Sequence, residues 1–189
     1  MVIKILIGLA VVIVLLVIVI ATRPSAFRVT RSAVIAAPPE RPFELVNDFR
    51  AWPKWSPWEK KDPQMKRTIG GPPAGVGASY AWAGDKNVGE GRMTIDRSER
   101  PSLVGINLEF IKPFAGVCPT AFTFDPAPGG TKVTWTMDGK YNFISKAMSM
   151  VINMDKMIGN DFESGLAAMK AEAEAASAGA ERAPVAAVR

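Results

Sequence analysis

Between Lys66 and Tyr141 the chain repeats one pattern, a short run of alternating apolar and polar residues followed by a turn containing glycine or proline. "QMKRTIG" is the first run, and "GGPPAGVG" turns the chain. "ASYAWAG" sets Ala78, Tyr80 and Trp82 on one face. After "GDKN", the run "VGEGRMTIDRSE" sets Gly91, Met93 and Ile95 on one face and Glu90, Arg92, Thr94 and Asp96 on the other. "LVGINLEFI" aligns Val104, Ile106, Leu108 and Phe110, and "CPTAFTFDP" aligns Thr120, Phe122 and Phe124. Beyond "APGGT", the run "KVTWTMDGKY" aligns Val133, Trp135, Met137 and Tyr141. Consecutive runs with one apolar face each predict an antiparallel meander of five or six strands. An earlier run, "AFRVTRSAVIAAP", adds a strand with Phe27, Val29 and Arg31 on one face.

Helical spacing appears in two places. In "PPERPFELVNDFRAW", Phe43, Val46 and Phe49 predict a short helix with prolines near its start, where they are tolerated. The next stretch, "WPKWSPWEKK", holds Trp52, Trp55 and Trp58, and its prolines allow at most a helical turn. From Ile144 to Ala175, Met148, Val151, Ile158, Phe162, Leu166 and Met169 form the stripe of one long helix, interrupted by Asp155. Gly159 and Gly165 each cost that helix up to about 1 kcal/mol relative to alanine. They point to close packing against a sheet or to room for a ligand. Residues 177–189, "SAGAERAPVAAVR", read as a disordered tail.

Residues 1–22 form a separate unit. "VIKILIGLAVVIVLLVIVIA" carries one charge, Lys4, at its edge, and is long enough to cross a bilayer. A membrane anchor is the favoured reading. A cleaved signal peptide is the alternative, because Val19 and Ala21 fit a small-residue cleavage rule. Arg23, Arg28 and Arg31 follow the span, so the positive-inside rule leans towards a cytoplasmic domain.

Composition removes several chemistries. The chain has no histidine, which takes away the commonest general base and metal ligand. Cys118 is the single cysteine and reads as a small buried hydrophobe. No cofactor, metal or catalytic set is expected. A net charge of +5 without a basic stripe does not suggest nucleic acid.

The order strand, short helices, meander, long helix resembles the SRPBCC (START-like, birch-pollen-allergen-like) superfamily. The resemblance is carried by "VIAAPPERPFELVNDFRAWPKWSPW", "GVGASYAW", "VGEGRMTI" and "IGNDFESGLAAMK", and runs from Phe27 to Ala173. It is closest to the polyketide cyclase/dehydrase and lipid-transport group. It implies an α+β helix-grip domain over residues 23–176, a curved antiparallel sheet wrapped around the C-terminal helix with a cavity between them. The candidate lining from the strands is Tyr80, Trp82, Met93, Ile95, Ile106, Leu108, Phe110, Phe122, Phe124, Trp135 and Met137. Met148, Val151, Met154, Ile158 and Phe162 would close it from the helix. Each of these residues reads equally well as solid core.

The expected function is membrane-anchored binding of a small hydrophobic or amphipathic ligand, lipid-like or polyketide-like, without catalysis. One alternative is a cyclase/dehydrase-type enzyme moving protons through Glu90, Glu109 or Tyr80. The other is a protein-interaction module at the membrane. Glu90, Arg92, Asp96, Glu109 and Lys112 read more readily as a solvated convex face. Asp155 and Asp161 read as a helix edge, with Arg92 a conceivable partner for Asp155.

Overall fold

The computed structural model describes residues 1–141, 143–150 and 153–181. Helix α1 (Val2–Thr22) leads into strand β1 (Ala26–Ile35). Helix α2 (Glu40–Asn47), a 3-10 helix (Phe49–Lys54) and helix α3 (Pro57–Lys61) follow. Strands β2 (Lys66–Gly70), β3 (Ser79–Ala83), β4 (Glu90–Glu99), β5 (Leu103–Lys112), β6 (Gly116–Ala127) and β7 (Gly130–Lys140) come next. Helices α4 (Phe143–Ser149) and α5 (Met154–Glu181) end the described chain.

The seven strands form one antiparallel sheet in the order β1-β7-β6-β5-β4-β3-β2. Strands β2 to β7 are the predicted meander, and β1 returns to pair with β7. The register sets like against like. Val29 faces Met137, Trp135 faces Phe122, Phe122 faces Val104, Ile106 faces Ile95, and Met93 faces Tyr80. All of these side chains share the concave face. A slip of one residue in any pair would turn a buried row out to water, so alternation fixes the register.

Helix α5 runs alongside β1, in the same direction. Arg31 meets Asp155, Lys170 Nζ donates to the Val34 carbonyl over 2.8 Å, and the Ala36 amide donates to Glu174 over 2.7 Å. Its apolar stripe, Phe162, Leu166, Met169 and Ala173, enters the core with Val29, Ile35, Phe122 and Trp135. This is the expected helix-grip arrangement.

Three local details differ from the sequence reading. The C-terminal helical stretch is two helices, because Asn153 starts a new one: its side chain accepts from the Lys156 amide over 2.9 Å and its carbonyl from the Met157 amide. A side chain that satisfies first-turn amides opens a helix instead of continuing one. The tryptophan segment forms two short helices where one turn was expected. The 3-10 geometry accommodates Pro53, and Pro57 sits in the first turn of α3, where no amide hydrogen is needed. Helix α5 extends to Glu181, into the predicted tail, and residues 182–189 lie outside the described residues.

Candidate functional site

The tryptophan segment builds the roof of the concave face. A helix leaves its last four carbonyls without intrahelical partners. In α2 all four are satisfied. The Asp48 amide takes Glu44, Trp55 Nε1 takes Leu45 at 2.9 Å, Trp52 Nε1 takes Val46 at 3.1 Å, and the Gly75 amide takes Asn47 at 3.1 Å. The three-residue spacing of two tryptophans thus delivers two indole donors to consecutive carbonyls. The rings then descend into the core. Trp52 lies 4.7 Å from Trp55, and Trp55 meets Phe122 and Trp135 edge-on at 6.0 and 5.6 Å. Trp58 is half-buried and touches Trp135 and Phe162.

Trp135 sits at the centre of this cluster, stacked on Phe162 with ring centroids 3.9 Å apart. Its Nε1 is buried and, among the described residues, has no hydrogen-bond partner. An unmet buried donor costs about 1–3 kcal/mol. The Gly165 position lets α5 approach this ring: an added Cβ would stand 3.0 Å from Trp135 and 3.1 Å from Pro57.

Fourteen of the sixteen proposed lining residues divide into two groups. Tyr80, Met93, Ile95, Ile106, Phe122, Phe124, Trp135, Met137 and Phe162 are buried in the packed interior. Trp82, Leu108, Phe110, Met154 and Ile158 are half-buried. Met148 is exposed, and Val151 lies outside the described residues. The half-buried strand residues cluster. Trp82 pairs with Gly91, Gly91 with Phe110, and Met93 with Leu108, which places them together on β3, β4 and β5 near the β1 start of the sheet. Trp82 and Phe110 meet edge-on at 6.1 Å. Helix α5 packs chiefly on β1, α2 and α3. The concave face is therefore sealed at one end and half-open at the other.

An open pocket of about 470 Å³ lies at that end on the β1 side of the sheet, lined by Arg23, Phe27, Tyr141, Met150, Met154 and Asp155 among others and by none of Trp82, Leu108 and Phe110. A second, of about 410 Å³, lies near α2 and is walled by charged groups including Arg41, Glu44, Arg100 and Glu172. It contains none of the proposed lining residues.

Two polar constellations escaped the sequence reading. Glu59, on α3, is buried; it accepts from Tyr80 Oη and from Arg67 Nε, each at 2.6 Å. Burial, then the Glu59 hydrogen bond, pushes the Tyr80 hydroxyl well above its usual range. A phenol on an apolar face needs a partner, and that need was the signal available in the sequence. Arg31, on the inner face of β1, reaches Asp155 at 3.1 Å and Glu163 at 2.7 Å. Gly159 makes room for it, because a Cβ there would overlap the guanidinium. Hydrogen bonding to Arg31 lowers the Asp155 pKa.

The remaining charges face outward. Glu90 pairs with Lys112 at 2.7 Å and Glu109 with Arg92 at 2.8 Å, on the convex side. Asp155 is exposed and takes Arg31, not Arg92, as its partner, and Asp161 pairs with Lys61. Of the three proton-transfer candidates only Tyr80 faces the interior. Cys118 is buried, and burial raises its thiol pKa.

Residues 26–174 match the family described as polyketide cyclase/dehydrase and lipid transport. Solved structures of similar fold include a protein from Chromobacterium violaceum, 18% identical, with TM-score 0.57 and coverage of 80% of this chain and 99% of that one. The di-domain ARO/CYC BexL from the BE-7585A biosynthetic pathway is 14% identical, with TM-score 0.58; the match covers 83% of this chain and 53% of BexL. Ara h 8.0201 is 11% identical, with TM-score 0.54 and coverage of 79% and 99%. At these identities the likeness is one of fold. No curated protein matches the chain.

Proposed function

The chain belongs to the polyketide cyclase/dehydrase and lipid-transport family, and from that premise we propose that it binds a single-chain amphiphile beside a membrane, without catalysis. The observation that carries this reading is the half-open wall of Trp82, Leu108 and Phe110. Apolar side chains in line with a sealed core, yet left partly uncovered, gain roughly 25 cal/mol for each Å² that a ligand's acyl or polycarbonyl chain takes from water. The unmet donor at Trp135 Nε1 offers a hydrogen bond to an acceptor on the buried end of such a ligand. Arg23, beside the open pocket, offers a positive charge to its head group.

Helix α1 supports the membrane part of the reading. Its 21 residues span roughly 30 Å, the thickness of a bilayer core. It buries only Ile20 and leaves its other apolar side chains for lipid. Tyr80 and Glu59 are committed to each other and to Arg67. That closed set supports a structural role for them over proton transfer.

Titration of the detergent-solubilised full chain with a fluorescent fatty acid tests the reading. Saturable binding is expected, weakened at least tenfold in Phe110→Glu and Leu108→Glu. Equal affinity in the wild type and both variants would overturn it.

A further inference from the structure

The end of the sheet from which α1 leaves carries an unusual set of side chains. Only Arg23, Pro24 and Ser25 separate α1 from β1. At about 3.5 Å per residue, that connection holds the start of β1 within about 15 Å of the helix end. Ala26 pairs with Lys140, and Phe110 with Gly116, so the β5–β6 hairpin turns at this same end. Helix α4 lies there too, against α1, with Lys146 Nζ 3.5 Å from the Ala21 carbonyl. On these two elements Ile111, Phe114, Val117, Phe143, Ile144 and Met148 are each between 42% and 60% exposed. Of the turns at the opposite end, "RPS" and "APGG" carry no large apolar residue, and the β2–β3 turn carries one exposed, Val76.

Exposed apolar groups gathered on two elements far apart in sequence, beside a helix built to cross a bilayer, have one economical cover. We propose that the β5–β6 hairpin and α4 seat in the headgroup layer of the membrane that α1 crosses, so that the half-open end of the sheet faces lipid. The proposal rests on α1 being a membrane span. Apolar side chains of such elements gain by entering the acyl boundary, as interfacial helices do. Arg23 lines the pocket at this end, Lys140 closes β7 there and Lys146 reaches the last turn of α1, and all three suit anionic headgroups. The seating opens the Trp82–Phe110 wall towards the bilayer, so a lipid would enter it without crossing water.

The test uses the full chain in vesicles of phosphatidylcholine and phosphatidylglycerol containing a spin-labelled lipid. In a Cys118→Ser background, single cysteines at Phe114→Cys, Ile144→Cys and Pro128→Cys carry a bimane label. Pro128 lies on the β6–β7 hairpin at the far end. Circular dichroism checks that each variant keeps its fold, and alkaline carbonate extraction reports separately on α1. The expected result is a carbonate-resistant chain whose labels at 114 and 144 are quenched several-fold more than the label at 128. A carbonate-resistant chain with equal quenching at all three sites overturns the seating and leaves the span standing. A chain released by carbonate overturns the span, and the seating with it.

Discussion

Trp55 Nε1 donates to the Leu45 carbonyl at 2.9 Å, so an indole just past the 3-10 helix finishes the end of α2. Trp52 does the same for Val46. The bonds explain why both tryptophans are buried while Trp58 is not. Trp55→Phe keeps most of the ring but strands the Leu45 carbonyl. It should cost about 1–3 kcal/mol of unfolding free energy, as should Trp52→Phe. Trp58→Phe should cost less than either. Urea unfolding of the detergent-solubilised chain, followed by circular dichroism, measures all three.

Gly159 should show an inversion of sign. Replacing a helical glycine by alanine ordinarily stabilises by up to about 1 kcal/mol. Here the new Cβ meets the Arg31 guanidinium, so Gly159→Ala should destabilise. In an Arg31→Ala background the same substitution should stabilise. A double-mutant cycle by thermal unfolding reads the coupling. Additive effects would mean that Arg31 does not cross the helix at this glycine.

The Arg31–Asp155 pair should appear in the pH dependence of stability. Asp155 in the folded chain titrates below its ordinary value of 3.8, chiefly through its hydrogen bond to Arg31. A depressed folded pKa contributes stability above the unfolded pKa and loses it as pH falls through the folded value. The stability difference between the wild type and Asp155→Asn should therefore be constant from neutrality to about pH 5 and shrink at lower pH. It should also shrink with added salt, because Asp155 is exposed. Unfolding curves at a series of pH values test this.

Both tyrosines of the chain titrate late. Burial raises Tyr141, and burial with the Glu59 hydrogen bond raises Tyr80. A raised folded pKa contributes stability that is complete below the unfolded value, near 10.0, and is lost as pH rises towards the folded value. Native protein should therefore develop less tyrosinate absorbance at pH 10 than urea-unfolded protein, which should show about half of its full signal. Tyr80→Phe should remove the later part of the native titration and leave Tyr141.

The meander and its faces were legible because alternation is a local property. Tyr80, Met93, Ile95, Ile106 and Phe122 took their places from period two alone. The break between α4 and α5 was hidden because the apolar stripe continues across it, while Asn153 acts through its own side chain. Glu59 was hidden for a different reason. It stands in the charged run "WEKK", and only tertiary folding brings it under Tyr80 and Arg67. Arg31 read as an ordinary member of its strand face, since its partners lie more than a hundred residues away. The half-open wall is a matter of where α5 does not reach, and no residue pattern encodes that distance.

Native mass spectrometry of the full chain, extracted in mild detergent from its own membranes, tests the binding reading most directly. The account predicts a mass adduct of one lipid-sized amphiphile, retained in Glu90→Gln on the convex face and lost in Phe110→Glu. A bare chain, or an adduct that survives Phe110→Glu and Leu108→Glu alike, would contradict it.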